Sequence, residues 1–98
     1  MASGTLNTKR ITEILPATLV SAGYSITVPV QAGDIYLVIG GDDSTSSTTE
    51  FSIVTCKSTT TKVQTLSNNG YIDVTGNSSG TFTVSVRQFS QALSIVKL

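Results

Sequence analysis

The segment Ile35–Ile39, with the sequence IYLVI, is the densest apolar run in this 98-residue chain. Turn-forming residues flank it, with Gly33 and Asp34 before it and Gly40 and Gly41 after it. A short apolar run that is rich in β-formers and bounded by turn residues is typical of a strand buried on both faces. We therefore expect Ile35–Ile39 to form the central strand of a sheet.

Segments on either side of this run alternate apolar and polar residues, which is the pattern of half-buried strands. In the segment 24–31 the apolar residues Tyr24, Ile26, Val28 and Val30 share one predicted inner face. Pro29 cannot donate a ladder hydrogen bond, so we expect either that this strand lies at a sheet edge or that the proline occupies a position without a ladder hydrogen bond. The segments 50–56, 81–87 and 92–98 predict further strands.

The strongest turn signal is Asn68–Gly70, between two short β-like segments. A three-residue loop here would place Leu66 opposite Ile72 and Gln64 opposite Val74, which keeps the apolar residues on one face. The glycine of this loop could then take a left-handed conformation. The sequence therefore predicts a β-hairpin across this turn.

Seven to nine short strands follow one another at roughly 8–12-residue spacing, and no window of twelve residues has a helical period. This spacing predicts an all-β fold, namely a single small β-sandwich of jelly-roll or immunoglobulin-like type with mostly antiparallel strands. We expect the sandwich to span residues 11–98. Residues 1–10 are small, polar and non-periodic, and are expected to be a flexible N-terminal arm, either free or ordered against a neighbouring subunit.

The composition gives a polar but nearly uncharged surface. Lys plus Arg and Asp plus Glu are six each, charged residues make up only 12% of the chain, and Ser and Thr supply nearly a third of it. Scattered cations argue against binding to nucleic acid or to an anionic membrane. A net charge near zero favours association, so we expect a homo-oligomer, with a trimer as one form.

The beginning of the sequence lacks a basic segment followed by an apolar one. We therefore expect no signal peptide and synthesis in a host cytoplasm.

Catalytic machinery is not expected, because the sequence contains no histidine. Its single cysteine, Cys56, lies in a strand-like segment, so we expect a buried thiol rather than a nucleophile. Gly41–Asp43 resembles the Gly-Asp-Asp turn of viral RNA polymerases, but the match covers three residues and predicts an ordinary loop. A calcium site at Asp34 or in the loop Gly40–Thr49 is the alternative. Otherwise we expect no cofactor and no metal.

Four residues are the candidate contacts with a ligand or partner. Lys9 and Arg10 form the one pair of adjacent cations in the predicted arm. Leu98 ends a strand that either offers an unpaired edge to a neighbour or, as we favour, pairs within its own sheet. Tyr71 follows a turn and is the one tyrosine expected to be exposed, whereas Tyr24 and Tyr36 are expected in the core. An exposed tyrosine could contact a surface glycan.

In size, in Ser/Thr-rich strands such as Thr81–Arg87 and in the polar segment Met1–Arg10, the chain resembles the small β-sandwich accessory proteins of tailed bacteriophages. These proteins serve as capsid decoration, head-fibre or tail-fibre subunits. The resemblance implies a non-enzymatic virion protein that acts through contacts with itself and with other virion proteins. The alternative is a carbohydrate-binding or adhesin-like module, in which Tyr71 would contact the sugar.

Overall fold

Two antiparallel sheets face each other in the computed structural model, which describes residues 12–42, 47–58 and 60–98. The expected all-β sandwich is confirmed, and its eight strands fall within the expected number. The strands are β1 (Thr12–Val20), β2 (Ser25–Pro29), β3 (Ile35–Asp42), β4 (Glu50–Cys56), β5 (Thr61–Ser67), β6 (Ile72–Gly76), β7 (Thr81–Val86) and β8 (Gln91–Lys97). No helix among the described residues is long and apolar enough to cross a membrane.

The larger sheet has the strand order β1-β8-β3-β4-β5, and the smaller sheet has the order β2-β7-β6. The pairing of β1 with β8 and of β2 with β7 is nested, as in a jelly roll, because strands from opposite ends of the chain meet. Here β3 pairs with β4 rather than with β6, so the roll is incomplete.

Strand β3 is the central strand of the larger sheet, as expected, and pairs with β4 and β8. The expectation that both of its faces are buried is wrong. Tyr36 and Val38 point into the sandwich and are 3% and 0% exposed, whereas Ile35 is 40% exposed and Leu37 and Ile39 are only partly covered. The second sheet covers the inner face of β3, and no described strand covers its outer face, where only Gly41 is closely approached, by Ser47 and Thr49.

The core lies between the two sheets and consists of aliphatic side chains around a pair of aromatic rings. Tyr36 and Phe82 pack with their ring centroids 5.2 Å apart, and Phe82 is fully buried. The expected buried thiol of Cys56 and core position of Tyr36 are both confirmed. Tyr24 was expected in the core and is instead 66% exposed, because β2 begins one residue later.

The predicted hairpin across Asn68–Gly70 is wrong, because β5 and β6 belong to different sheets. β5 pairs with β4, β6 pairs with β7, and Leu66 is 55% exposed rather than paired with Ile72. The loop therefore carries the chain from one sheet to the other. Its Gly70 does take the expected left-handed conformation, with φ of +83°.

Of the two candidate edge strands, one lies at an edge and the other does not. β2, with Pro29, lies at an edge of the smaller sheet as predicted. β8 is an interior strand that pairs with β1 on one side and β3 on the other, so of the two alternatives for Leu93–Leu98 the favoured one, pairing within its own sheet, is confirmed. The loop predicted at Gly40–Thr49 starts later than expected, because Gly40, Gly41 and Asp42 complete β3.

Candidate functional site

The residues proposed as contacts from the sequence do not come together. Lys9 and Arg10, with the rest of the predicted arm, lie outside the described residues. Leu98 is 48% exposed, and its backbone N–H donates to the carbonyl of Ile35 at the start of β3. Tyr71 lies at the opposite end of the sandwich, in the loop before β6. Leu98 and Tyr71 therefore do not belong to one site.

The outer face of the smaller sheet is covered by hydroxyl groups. On its central strand β7, the outward residues are Thr81, Thr83 and Ser85, and Thr83 lies between Thr27 and Thr75 on the two neighbouring strands. Ser85 and Ser25 form a hydrogen bond across the strands, with 2.8 Å between their Oγ atoms. This face needs no further cover, because hydroxyl groups are well solvated by water.

The outer face of the larger sheet has the opposite character. Leu37, on the central strand, lies between Ile53 of β4 and Val96 of β8, and Ile39 is paired with Phe51. These five side chains are only partly covered. We call this group, together with Ile35, the apolar face. Contiguous apolar patches that are rimmed by polar residues mark interaction surfaces.

The apolar face continues into a shallow depression of about 200 Å³ at the end of β3. Small residues form much of its lining, including Ala17, Gly41, Ala92 and Ser94, with Ile39 at the boundary with the apolar face. The outer surface of the larger sheet is therefore apolar and uneven, which suits a complementary protein surface.

The sheet edges are poor templates for a further strand. β1 contains Pro16 and two register irregularities, and β2 ends at Pro29. The pairing of β5 with β4 shifts register beside Phe51 of β4, and β6 has only five residues. Prolines, irregularities and short length all hinder edge-to-edge pairing. A partner would therefore meet a face of this sandwich rather than an edge.

The acidic residues considered for calcium are separated by the length of β3, since Asp34 precedes it and Asp42 ends it. Eight strand residues span about 26 Å, which is too far for one ion. Within the described parts of the chain, no three His, Cys, Asp or Glu side chains come together in a way that could hold a metal. Asp43 lies outside the described residues.

Asp34 has a structural role instead. Its Oδ2 accepts hydrogen bonds from the backbone N–H of Gln31 at 2.9 Å and from the hydroxyl of Tyr36 at 3.2 Å, and Lys97 Nζ lies 3.6 Å from Oδ1. The Gln31 hydrogen bond is the main reason why the pKa of Asp34 is lowered. Burial, followed by the charge of Asp34, raises the pKa of Tyr36 to about 12. This cluster fixes the turn before β3.

A buried polar network lies at the other end of the sandwich. Glu50 is 1% exposed and accepts hydrogen bonds from the backbone N–H of Asn69 at 3.2 Å and from Ser52 Oγ at 3.4 Å. Asn69 Nδ2 donates to Gln91 Oε1 at 2.8 Å and to Thr49 Oγ1 at 3.1 Å. Burial raises the pKa of Glu50, an effect that the two hydrogen bonds only partly offset.

Two exposed loops beside this network carry an aromatic pair. The rings of Tyr71 and Phe89 meet edge to face, with 5.3 Å between their centroids and 86° between their planes. Phe89 is 56% exposed and has φ of +59°, the one positive φ among described residues other than glycine. The guanidinium of Arg87 lies close by, 3.5 Å from Asp73 Oδ2 and 3.4 Å from the carbonyl of Gly70.

Sequence reasoning missed both Phe89 and the apolar face. A signal for the face existed, because Phe51 and Ile53 are apolar at positions out of phase with the buried Val54. Phe89 interrupts the alternating pattern that ends at Val86, and a lone aromatic between Gln88 and Ser90 is a sign of exposure.

No protein-family model, curated protein or solved structure matches this chain.

Proposed function

We propose that the protein is a non-enzymatic assembly subunit that associates through the apolar face of its larger sheet. The observation that carries this proposal is the contrast between the two outer faces. Leu37 and its neighbours Ile53 and Val96 are apolar, whereas Thr83 and its neighbours Thr27 and Thr75 carry hydroxyl groups. Partly exposed apolar side chains on one face alone are consistent with a surface that is covered in the assembled state.

A second copy of the chain is the partner that we propose for this face. In a two-fold contact the same patch lies on both partners, so a patch whose centre carries no charge can bury itself without leaving a charge unpaired. The central members of the face, Leu37, Ile39, Phe51, Ile53 and Val96, are all uncharged. The net charge of the whole chain is also zero, so copies do not repel one another at long range.

The size of the larger sheet is compatible with a pair of copies. Strands at about 4.8 Å spacing, each about seven residues long at 3.3 Å per residue, give a projected area of roughly 330 Å² for the three strands of the apolar face and roughly 550 Å² for all five. Stable interfaces bury about 600–1,000 Å² on each partner. A stable dimer would therefore have to bury the whole outer surface of the larger sheet, with the apolar face at its centre. A trimer, one expectation from the sequence, would need a second surface.

We further propose that such pairs serve in a virion of the tailed-phage kind, as capsid decoration or fibre subunits that also contact other virion proteins. This part of the proposal rests on the resemblance in size, Ser/Thr-rich strands and N-terminal segment. The absence of histidine from the sequence is in keeping with a role that involves no catalysis.

The test is the solution mass of two matched lysine variants, measured by light scattering after size exclusion. Leu37→Lys places a charge at the centre of the apolar face, and Thr83→Lys does so at the centre of the hydroxyl face. Both residues point outward from the central strand of their sheet. We expect wild type and Thr83→Lys to have the mass of two chains and Leu37→Lys that of one, 10.2 kDa.

Circular dichroism of both variants checks that they are folded. If Leu37→Lys is folded and keeps the mass of the wild type, the apolar face is not the interface. If Thr83→Lys is the variant that dissociates, the contact uses the smaller sheet.

A further inference from the structure

The aromatic pair at the loop end is not explained by the proposed assembly role. Tyr71 and Phe89 belong to the β5–β6 and β7–β8 loops, whereas Leu37 lies in the middle of the larger sheet. Tyr24, 66% exposed, lies at the same end, since its carbonyl accepts a hydrogen bond from the backbone N–H of Val86. Three partly or largely exposed aromatic residues therefore gather at this end.

The backbone of Phe89 indicates that this aromatic residue is not there for stability. A φ of +59° is unfavourable for a bulky side chain, and such conformations cluster at ligand-binding positions. The ring is 56% exposed, so burial only partly offsets the cost. Glycine would take this conformation without strain. Phe89 thus exposes an aromatic ring to solvent from a backbone conformation that is unfavourable for a side chain of this size.

The buried polar network fixes both loops that carry the pair. Asn69 takes part in four hydrogen bonds. It donates three, from its backbone N–H to Glu50 and from its side-chain amide to Gln91 and Thr49. Its Oδ1 accepts the fourth from the backbone N–H of Tyr71. Gln91 in turn donates from Nε2 to the carbonyl of Ser90, at 3.2 Å, in the other loop. The two rings are therefore held in place before any ligand arrives, which reduces the entropy lost on binding.

We propose that this loop end binds a carbohydrate, with a pyranose ring stacked on Phe89 and Tyr71. A pyranose has an apolar face of C–H groups, which packs on an aromatic ring, and a rim of hydroxyls, which need donors and acceptors. Arg87 and Asp73, both about half exposed, supply both kinds of group beside the rings.

The charges favour a neutral sugar over a phosphate-bearing ligand. Among the described residues, Arg87 is the cation beside the aromatic pair. Asp73 already neutralises its charge, since Asp73 Oδ2 lies 3.5 Å from Arg87 Nε. Binding to phosphates requires uncompensated positive charge, which this site does not offer. The glycan site adds a surface-recognition role to the assembly role and does not depend on it.

The experiment is a glycan array probed with the full-length wild-type chain, followed by titration of the best-bound glycan. The variant is Phe89→Gly, which removes the ring and also relieves the unfavourable φ. We expect its affinity to fall by about tenfold or more, as for loss of an aromatic stacking contact, while its melting temperature stays the same or rises. Leu66→Ala is the matched control, since Leu66 is equally exposed at 55% but lies on β5.

Binding by wild type and Leu66→Ala with loss in Phe89→Gly supports the proposal. Failure of the wild type to bind any glycan overturns it, as does unchanged affinity in Phe89→Gly. A fall in the melting temperature of Phe89→Gly would indicate that Phe89 is structural, which also counts against the proposal. The mass of Phe89→Gly tests assembly separately, since the glycan site and the apolar face share no residue.

Discussion

Replacement of Glu50 by glutamine should stabilise the protein, and increasingly so as the pH rises. Burial raises the pKa of Glu50, with a small contribution from the charge of Asp73. Between the ordinary pKa of a glutamate and this raised pKa, the folded state binds more protons than the unfolded state. The free energy of unfolding therefore falls as the pH rises through that range.

The magnitude follows from proton linkage. One proton of difference between the two states changes the free energy of unfolding by up to about 1.4 kcal/mol per pH unit. Glutamine has the same shape and keeps an acceptor for the backbone N–H of Asn69, 3.2 Å from Glu50 Oε1. It also has an amide that can donate to Ser52 Oγ. The variant should therefore match the wild type at low pH and exceed it at neutral pH.

The assay is urea unfolding of wild type and Glu50→Gln from pH 2 to pH 8, with Asp34→Asn as a control whose stability difference changes in the opposite direction with pH. The pKa of Asp34 is lowered, so its contribution to stability is present above its ordinary pKa and is lost on acidification. Asp34→Asn should therefore be less stable than wild type at neutral pH and approach it at low pH. A constant difference between Glu50→Gln and wild type across the whole range would refute the reasoning.

Two further predictions concern the packing between the sheets. Phe82→Ala removes a fully buried ring that packs on Tyr36, and should lower the free energy of unfolding by about 3–5 kcal/mol in urea titrations. A loss below 1 kcal/mol would contradict this core assignment. Gly76→Ala would place a Cβ 2.6 Å from the carbonyl oxygen of Thr61, so we expect a thermal midpoint several degrees lower. An unchanged midpoint would mean that β5 and β6 separate freely.

The sequence was sufficient to locate the strands, because period-2 alternation and turn residues are local signals. It also identified β3 as central, since Ile35–Ile39 carries more apolar surface than any neighbouring segment. It could not reveal that no described strand would cover the outer side chains of β3. Apolar residues on both faces predict burial, and only the fold shows that, within residues 12–42, 47–58 and 60–98, a second sheet lies over one face of β3 alone.

The errors arose where distant segments decide the outcome. A local turn rule correctly assigned a left-handed Gly70, yet β5 and β6 separate because each pairs better with another strand. Whether Leu93–Leu98 forms an edge was also decided from afar, because β1, more than 70 residues earlier, pairs with β8. Such nonlocal pairing leaves no mark in a short sequence window.

The candidate sites were less predictable than the fold. Tyr71, the one tyrosine expected to be exposed, is only partly exposed, whereas Tyr24 is 66% exposed. The partner of Tyr71, Phe89, was missed, because contact between two loops depends on the buried network of Glu50, Asn69 and Gln91. These residues are polar and look like surface positions in the sequence. Their burial follows from the closure of the sandwich.

The central claim is that the apolar face binds a second copy, and the mass of the wild-type chain in solution tests it most directly. Light scattering after size exclusion, over a series from about 1 to 100 μM, covers the affinities expected for an interface of this size. The account predicts a mass that reaches twice the 10.2 kDa of one chain within this range. A mass of one chain at every concentration would contradict it.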